Sequence, residues 1–287
     1  MKTNLLLIDS HENSKELVQS ALTISNRYKR RLKIAYVLDF DWMRQSALAG
    51  GAGTASISIV NAEKVLHADY EFAEKKTREV VDECLKNQPV NYSVEIMVSK
   101  NNRIDLINGE LQNDPDLMVL ISNRQRYSDI TGGQVSYPKF IEHVRCPVLI
   151  LPDEISNTTF HNAVYATDYN SEDIRSLKHL SNFLRQSENT NLTILHNEEN
   201  FDFEANLKWT GFQDLVQSEI GNGILDFTLK KEKDFLSGIK LYNEETNPDL
   251  LVILNEKKGF FEDIFTSSKT KSVLSQFDKP LLVYHEK

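Results

Sequence analysis

Apolar and polar positions alternate along the chain in blocks. Short apolar runs, such as LLLI at 5–8, are separated by longer segments in which apolar residues recur every three or four positions. Runs of the first kind predict strands that are buried on both faces, and segments of the second kind predict amphipathic helices. Strands that alternate with helices are typical of a parallel, doubly wound sheet. The pattern therefore predicts an α/β protein.

The arrangement of these blocks occurs twice, most clearly around four prolines. The first copy contains PDLMVLIS (115–122) and CPVLILP (146–152), and the second contains PDLLVILN (248–255) and KPLLVYHE (279–286). In each copy the two prolines are 32 residues apart. The spacing leaves room for a helical crossover and is too long for a hairpin. The chain is therefore predicted to contain two related halves.

The first half, 1–153, is predicted to form one domain with a five-stranded parallel sheet flanked by helices. Its strands are expected at 5–9, 32–38, 90–98, 115–122 and 147–151. Its helices are expected at about 12–26, 59–86, 102–112 and 138–144. The alternation within 90–98 fits a strand close to the edge of the sheet. Asn101 or Asn102 is the expected cap of the third helix.

The second half, 160–287, is predicted to repeat this domain after a polar linker at 155–162. Its strands are expected at 163–168, 191–197, 224–230, 248–255 and 279–286. Its helices are expected at about 171–185, 205–220 and 233–244. Gly221 and Gly223 are the expected stop of the second of these helices.

The charge balance and the cysteines limit the classes of partner. The 287 residues carry a net charge of −9, which disfavours binding to a phosphate backbone. The one basic cluster, Tyr28 to Arg31, is interpreted as a solvated helix end. Long apolar runs that could cross a membrane are missing, and Cys84 and Cys146 come without a secretion signal. We therefore expect a cytoplasmic protein that binds neither membranes nor nucleic acid.

Candidate binding residues lie where the first and fourth strands of each half end. The carboxyl ends of parallel strands meet at a crevice where the strand order reverses. The first strands end at Asp9-Ser10 and at Asp168-Tyr169, and segments 122–136 and 255–268 follow the fourth strands. Each aspartate either accepts hydrogen bonds from a bound base or ribose, or caps the following helix or loop. The sequence leaves both interpretations open.

Other chemistry finds little support in the sequence. The seven histidines form no HExxH motif and no metal-ligand spacing with cysteine, and no G-x-S-x-G elbow is present. The AGGAG run at 49–53 fits no phosphate-binding motif and is interpreted as a loop. His196 is expected to be part-buried and neutral, and Trp42 and Trp209 are expected to pack. We therefore expect no catalytic and no metal-binding residues.

The chain resembles the universal stress protein family in its tandem form. Four features that occur twice carry the resemblance: a first strand ending in Asp and followed by a helix, a second strand ending near Asp39 or Asn197, the PDL strand, and the closing strand. The resemblance implies two domains related to the adenine nucleotide alpha hydrolase-like folds. It also implies that the first-strand aspartate contacts an adenine.

Nucleotide-binding members of that family carry G-x2-G-x9-G-[ST] after the fourth strand, where glycines let backbone N–H groups approach phosphates. With the prolines aligned, the first half has other residues at these positions: Ile121, Arg124, Gln134 and Val135. The second half has Leu254, Lys257, Ser267 and Ser268. The expectation is therefore a non-enzymatic universal stress protein with a degenerate motif, no cofactor, and a role in stress-linked binding or interaction.

Two alternatives are kept. The first is a module that binds ATP, AMP or another anion in a different pose, mainly in the second half. Its candidate crevice residues are Asp9, Ser10, Asp168, Tyr169, Lys257, Ser267 and Ser268. The second is a nucleotide hydrolase, which lacks a recognisable base, metal set or nucleophile.

The resemblance also bears on partners. It implies that the closing strands, at 148–151 and 281–284, pair within one chain as a pseudo-dimer, because an apolar edge strand needs a cover. A homodimer and an unidentified protein partner remain open.

Overall fold

The structure is a computed structural model that divides into two compact units, Met1–Val148 and Leu149–Lys287. The residues it describes are 2–8, 11, 14–38, 55–100, 102–123, 126–128, 134–136, 140–141, 143–152, 158–221, 223–255 and 279–286, with only the backbone described at 55–66, 126–128 and 134–136.

The first unit contains a parallel sheet whose strand order is β4-β1-β2-β3. In chain order its elements are β1 Thr3–Ile8, α1 Ser14–Arg27, β2 Arg31–Val37, α2 Ala55–Asn87, β3 Glu95–Ser99, α3 Arg103–Asn113, β4 Met118–Ser122 and the antiparallel pair β5 Arg126–Ser128 and β6 Gln134–Ser136. The strand β7, Val148–Leu151, contains the division between the units. The Val119 N–H donates to the Pro147 carbonyl, which brings the start of β7 to β4.

The second unit contains a parallel sheet whose strand order is β12-β11-β8-β9-β10. In chain order its elements are β8 Asn162–Thr167, α4 Asp173–Leu184, β9 Asn191–Asn197, α5 Phe203–Ile220, β10 Leu225–Lys230, α6 Phe235–Thr246, β11 Leu250–Asn255 and β12 Leu281–His285. In both units the first strand lies between the second and the fourth. The strand order therefore reverses at the first strand, and the predicted doubly wound α/β class is confirmed.

The central strands are buried on both faces, as their continuous apolar runs predict. Every residue of β1 and of β4 is buried, and so are all but the last residue of β11. Helices cover both faces of a parallel sheet, so its strands carry apolar side chains at consecutive positions. The hydrophobic cores of the two units are therefore built around β1 with β4 and around β8 with β11.

Several helices begin or end at residues that are suited to capping. Asn102, Asp202 and Asp234 each accept a hydrogen bond from the backbone N–H three residues later. Helix α5 stops at Gly221, whose φ of +80° favours glycine. Both the Asn102 cap and the Gly221 stop agree with the sequence analysis.

Two local predictions for the first unit need correction, one of them only in part. The strand expected from residue 90 begins at Glu95, because residues 88 to 94 form the bend that returns the chain from α2 to the sheet. The cluster Tyr28 to Arg31 is solvated only in part, since Lys29 and Arg31 are exposed whereas Tyr28 and Arg30 are both 2% exposed. The Arg30 guanidinium donates to the Asn4 side chain and to the carbonyls of Thr3 and Asp116. These acceptors offset the cost of burying a charge.

The glycine run at 49–53 and Trp42 lie outside the described residues.

A clamp in the second unit joins β9 to the loop before α6. The Asn197 side chain accepts from the Glu232 N–H and donates to the Glu232 carbonyl, both at 3.0 Å. Gly238 of α6 lies against this side chain, and a Cβ added there would lie 2.6 Å from Asn197 Oδ1. Because two hydrogen bonds hold Asn197, it cannot move aside without losing them.

We therefore predict that Gly238→Ala lowers the free energy of unfolding by about 1–3 kcal/mol, although alanine is ordinarily the better helix former. Urea denaturation measures the change. Gly109→Ala in α3 is the matched control, because its added Cβ meets nothing within 4 Å. The control should be neutral or stabilising. Equal effects of the two substitutions would contradict the clamp.

Candidate functional site

The candidate site of the second unit lies at the carboxyl ends of β8 and β11, where the strand order reverses. Ala166 of β8 pairs with Ile253 of β11, so the two strands end side by side. Asp168 follows β8 and is exposed, and no hydrogen bond of its carboxylate is found among the described residues. Asp168 therefore does not cap α4. Its carboxylate faces solvent at the position where the resemblance implies a base contact.

The carboxyl group that does hold this corner belongs to Asp173, in the first turn of α4. The Tyr165 hydroxyl donates to Asp173 Oδ1 at 2.6 Å, and the Thr167 hydroxyl donates to Oδ2 at 2.5 Å. The carboxyl group is 1% exposed and ties the last residues of β8 to the start of α4. The network therefore fixes where the chain leaves the sheet.

Burial raises the pKa of Asp173 to about 7, against the lowering effect of the Thr167 and Tyr165 hydrogen bonds. The nearby charge of Asp168 raises it further. A carboxyl group in a low-dielectric setting resists ionisation even when hydroxyls donate to it. Asp173 is therefore close to half-protonated at neutral pH.

Tyr169 turns the chain back over the sheet. Its φ is +71°, a left-handed conformation, and its N–H donates to the Thr167 hydroxyl oxygen at 3.0 Å. In this conformation its ring lies on the His196 imidazole, with the ring centroids 3.9 Å apart. The strained backbone at Tyr169 is held by the same threonine that bonds Asp173.

His196 is buried and neutral. Its Nδ1 donates to the Thr167 carbonyl at 2.9 Å, which leaves Nε2 as the acceptor, 3.8 Å from a Glu198 carboxylate oxygen. Burial lowers its pKa below 6.5, although the Thr167 carbonyl and Glu198 act in the opposite sense. The ring is 5% exposed, so it is more buried than the sequence suggested.

Two aromatic residues of α5 complete what we call the aromatic cluster. It consists of Tyr169, His196, Trp209 and Phe212. Trp209 stacks near His196 at a centroid distance of 5.8 Å, and Phe212 meets the Tyr169 ring edge-on at 5.4 Å. Trp209 and Phe212 are 7% and 8% exposed, so packing explains them, as predicted for Trp209. The cluster fills the space beside the end of β8 with side chains.

The first unit contains a comparable stack at the corresponding place. Ile8 pairs with Tyr36 in the register in which Thr167 pairs with His196. The His11 ring lies on Tyr36, with centroids 4.4 Å apart and planes 13° apart. His11 Nε2 lies 3.2 Å from the Thr77 hydroxyl, and burial lowers the pKa of His11. In both units a ring that follows the first strand therefore covers a ring at the end of the second.

The predicted site residues are only partly placed. Asp168 and Tyr169 lie together at the corner of the second unit, with Asp168 in solvent and Tyr169 in the cluster. The remaining five lie outside the described residues: Asp9, Ser10, Lys257, Ser267 and Ser268. Ile121 and Leu254, the first positions of the aligned motif, lie within β4 and β11 with buried side chains. At that position each unit has a packed side chain where the motif has glycine.

Sequence reasoning missed Asp173, which was treated only as part of a helix start. The available signal was a further carboxylate, Asp173, five residues after the strand-ending Asp168. Two hydroxyl residues, Tyr165 and Thr167, precede it on alternate positions of the strand. Among the described residues, no group of three or more His, Cys, Asp or Glu side chains could hold a metal ion. No described helix combines the length and the apolar character needed to cross a bilayer.

We predict that Asp173 makes the protein less stable as the pH rises from about 4 to 7. Between its unfolded pKa of 3.8 and its folded pKa of about 7, the folded state retains a proton that the unfolded state has lost. Folding is then disfavoured by up to about 4 kcal/mol after full titration. Urea denaturation across this range should show the stability of the wild type falling relative to that of Asp173→Asn.

The control is Asp226→Asn, which replaces an exposed carboxylate in the same unit that accepts from Asn191. Its stability should follow that of the wild type across the pH range. Parallel profiles of the wild type and Asp173→Asn would contradict the assignment.

No protein-family model matches the sequence, and no curated protein matches it. Solved structures do. A universal stress protein from Archaeoglobus fulgidus DSM 4304 superposes with a TM-score of 0.63 at 17% identity, covering 99% of this chain and 96% of that one. A functionally unknown protein from Pseudomonas aeruginosa PAO1 gives 0.52 at 12% identity, covering 99% and 92%. A candidate universal stress protein from P. aeruginosa UCBPP-PA14 gives 0.51 at 10% identity, with the same coverage. The chain therefore has the fold of the universal stress proteins.

Proposed function

We propose that this chain is a non-enzymatic, cytoplasmic universal stress protein of the tandem form, whose nucleotide motif is degenerate. Its role would be stress-linked binding or interaction with other proteins. The aromatic cluster at the Asp168 corner is the observation that supports this proposal most. A nucleotide placed against Asp168 in the family's pose would compete for space with the Tyr169, His196 and Trp209 rings.

The aligned motif positions support the same conclusion by a steric argument. Phosphate binding by backbone N–H groups needs close approach, which glycine permits and a side chain obstructs. Leu254 is 4% exposed and packs within β11, so its side chain belongs to the core. Replacing such a residue by glycine would remove core packing. The residue at this position therefore stabilises the fold.

A non-enzymatic role fits the chemistry of the corner. His196 directs Nδ1 to a backbone carbonyl and Nε2 toward a carboxylate. A general base needs a hydroxyl, thiol or water within hydrogen-bond reach of its free nitrogen. Each carboxyl oxygen of Asp173 accepts from one hydroxyl, and the group is buried. Neither group is arranged as a nucleophile and base pair.

We predict that calorimetric titration with ATP and Mg²⁺ gives no saturable heat at ligand concentrations up to about 1 mM. The same titration with AMP should behave alike. Micromolar binding that Asp168→Ala abolishes would overturn the proposal and favour the alternative, an ATP or AMP module with another pose. Asp69→Ala, at an exposed carboxylate of α2, is the matched control that should leave any such binding intact. Release of phosphate from ATP would instead favour a hydrolase.

The tandem proposal includes a pseudo-dimer within the chain. The apolar sequence of the two closing strands supports this part of the proposal. These strands are VLIL at 148–151 and LLVY at 281–284, and each is buried in the described structure. We predict that solution scattering gives one compact particle whose dimensions do not change with salt concentration. Scattering from two separated, independently tumbling halves would contradict the pairing.

A further inference from the structure

Strand β10 has an open edge. It pairs with β9, and no other strand of the described residues pairs with it. All six of its residues are exposed or half-buried, whereas β8 and β11 each have five buried residues out of six. An outer strand leaves a row of backbone N–H and C=O groups that a further strand can use.

The ladder between β10 and β9 shows which backbone groups face outward. The carbonyl of Ile224, just before β10, accepts from the Leu192 N–H of β9. In a parallel ladder alternate residues direct both backbone groups to the same neighbour. The even-numbered residues of β10 therefore bond to β9. The residues whose N–H and C=O point outward are Leu225, Phe227 and Leu229.

The side chains of β10 match those of a second, antiparallel copy of the strand. If a two-fold axis perpendicular to the sheet passes at Thr228, residues equally far before and after Thr228 lie directly opposite each other. Asp226 then lies opposite Lys230 of the second copy, and Phe227 lies opposite Leu229 of the second copy. Each contact occurs twice, because both copies use the same patch. Opposite charges and aromatic–aliphatic neighbours are cross-strand pairs that stabilise a sheet.

The backbone fits the same register. Phe227 and the opposed Leu229 both direct N–H and C=O outward, so each such pair can exchange two hydrogen bonds, about four in the dimer. Asp226, Thr228 and Lys230 bond to β9 instead. They therefore form the non-hydrogen-bonded pairs of the new ladder, in which side chains lie closer together.

Other axes give poorer pairs. An axis at Asp226 or at Lys230 sets that charge against its own copy. An axis at Leu229 sets Asp226 opposite Glu232, and an axis at Phe227 sets Asp226 opposite a threonine. Like charges directly opposite each other destabilise a ladder. The charges of β10 therefore select the register described above.

Both charges are able to bond across the axis. Asp226 is exposed and accepts from the Asn191 side chain through one oxygen, and Lys230 pairs with Glu245. A carboxylate has a second oxygen and an ammonium has three donors, so each group can keep its present partner and gain another.

We propose that β10 is a homodimerisation edge, at which two copies of the chain pair their β10 strands antiparallel about Thr228. The proposal does not depend on whether the Asp168 corner binds a nucleotide. One pair of short strands covers less area than the roughly 1,200–2,000 Å² of a stable protein interface, so the dimer is weak and concentration-dependent. Each copy uses its own β10 edge in the contact, so assembly stops at the dimer.

Sedimentation equilibrium of the full chain at about 10 μM to 1 mM tests the proposal. A monomer–dimer equilibrium is expected, and Asp226→Lys should raise the dissociation constant at least about tenfold, because it sets lysine opposite Lys230. Asp214→Lys is the matched control, since it makes the same charge change at an exposed carboxylate of α5. A monomer at every concentration, growth beyond the dimer, or equal effects of the two variants would overturn the proposal.

Mixing two variants tests the register. Lys230→Glu should also weaken the dimer, because it sets glutamate opposite Asp226. In an equimolar mixture of Asp226→Lys and Lys230→Glu, a heterodimer has opposite charges in both cross-strand pairs. The mixture should therefore dimerise at concentrations at which each variant alone is monomeric. Recovery also shows that both variants fold, and a mixture that stays monomeric would reject the Thr228 axis.

Crosslinking tests the axis directly, since a residue on a two-fold axis meets its own copy. The Cα atoms of a non-hydrogen-bonded pair lie about 4.5 Å apart, a distance that a disulfide can span. Thr228→Cys should therefore form an intermolecular disulfide under mild oxidation. The native thiols of Cys84 and Cys146 are buried and contribute little background. Gly109→Cys, at an exposed position of α3, is the control and should remain monomeric. Equal crosslinking of the two variants would overturn the assignment.

Discussion

The carboxyl group of Asp173 holds the corner of the second unit together. It accepts hydrogen bonds from the hydroxyls of Thr167 and Tyr165. These bonds join the end of β8 to the start of α4. Thr167 in turn accepts from the Tyr169 N–H and, through its carbonyl, from His196. The bond from the Tyr169 N–H to the Thr167 hydroxyl holds the left-handed turn at Tyr169.

This arrangement limits the space on the β9 side of the end of β8. A crevice at a switch point is a ligand site only where the side chains around it leave room. In the second unit the Tyr169 and His196 rings pack together on the β9 side of β8, and in the first unit His11 and Tyr36 form a comparable stack. The ring that covers is a tyrosine in one unit and a histidine in the other. The two halves thus share the stacking, although the residues that make it have exchanged places.

Much of the fold could be predicted from the sequence because its signals are local. Apolar runs entered through proline, capping residues such as Asn102, and Gly221 act within a few positions of the chain. Other features could not be predicted, namely the charge state and contacts of Asp173 and the burial of Arg30. Their partners become neighbours only when strands pair. Arg30, for example, donates to a carbonyl 86 positions away. The sequence shows that the G-x2-G-x9-G-[ST] spacing is absent, whereas the rings that stack beside Asp168 depend on tertiary contacts.

Helix α5 has apolar residues on an inner, buried face and on an outer, exposed face. Its inner face supplies Trp209 and Phe212 to the aromatic cluster, and its outer face carries Leu207 and Leu215. A helix that only covered a sheet would gain solubility from polar residues at the outer positions, since leucine there has nothing to bury against. Inner and outer residues project in different directions from one rigid element. A change at the exposed Leu207 therefore leaves the buried residues Trp209 and Phe212 of the aromatic cluster in place.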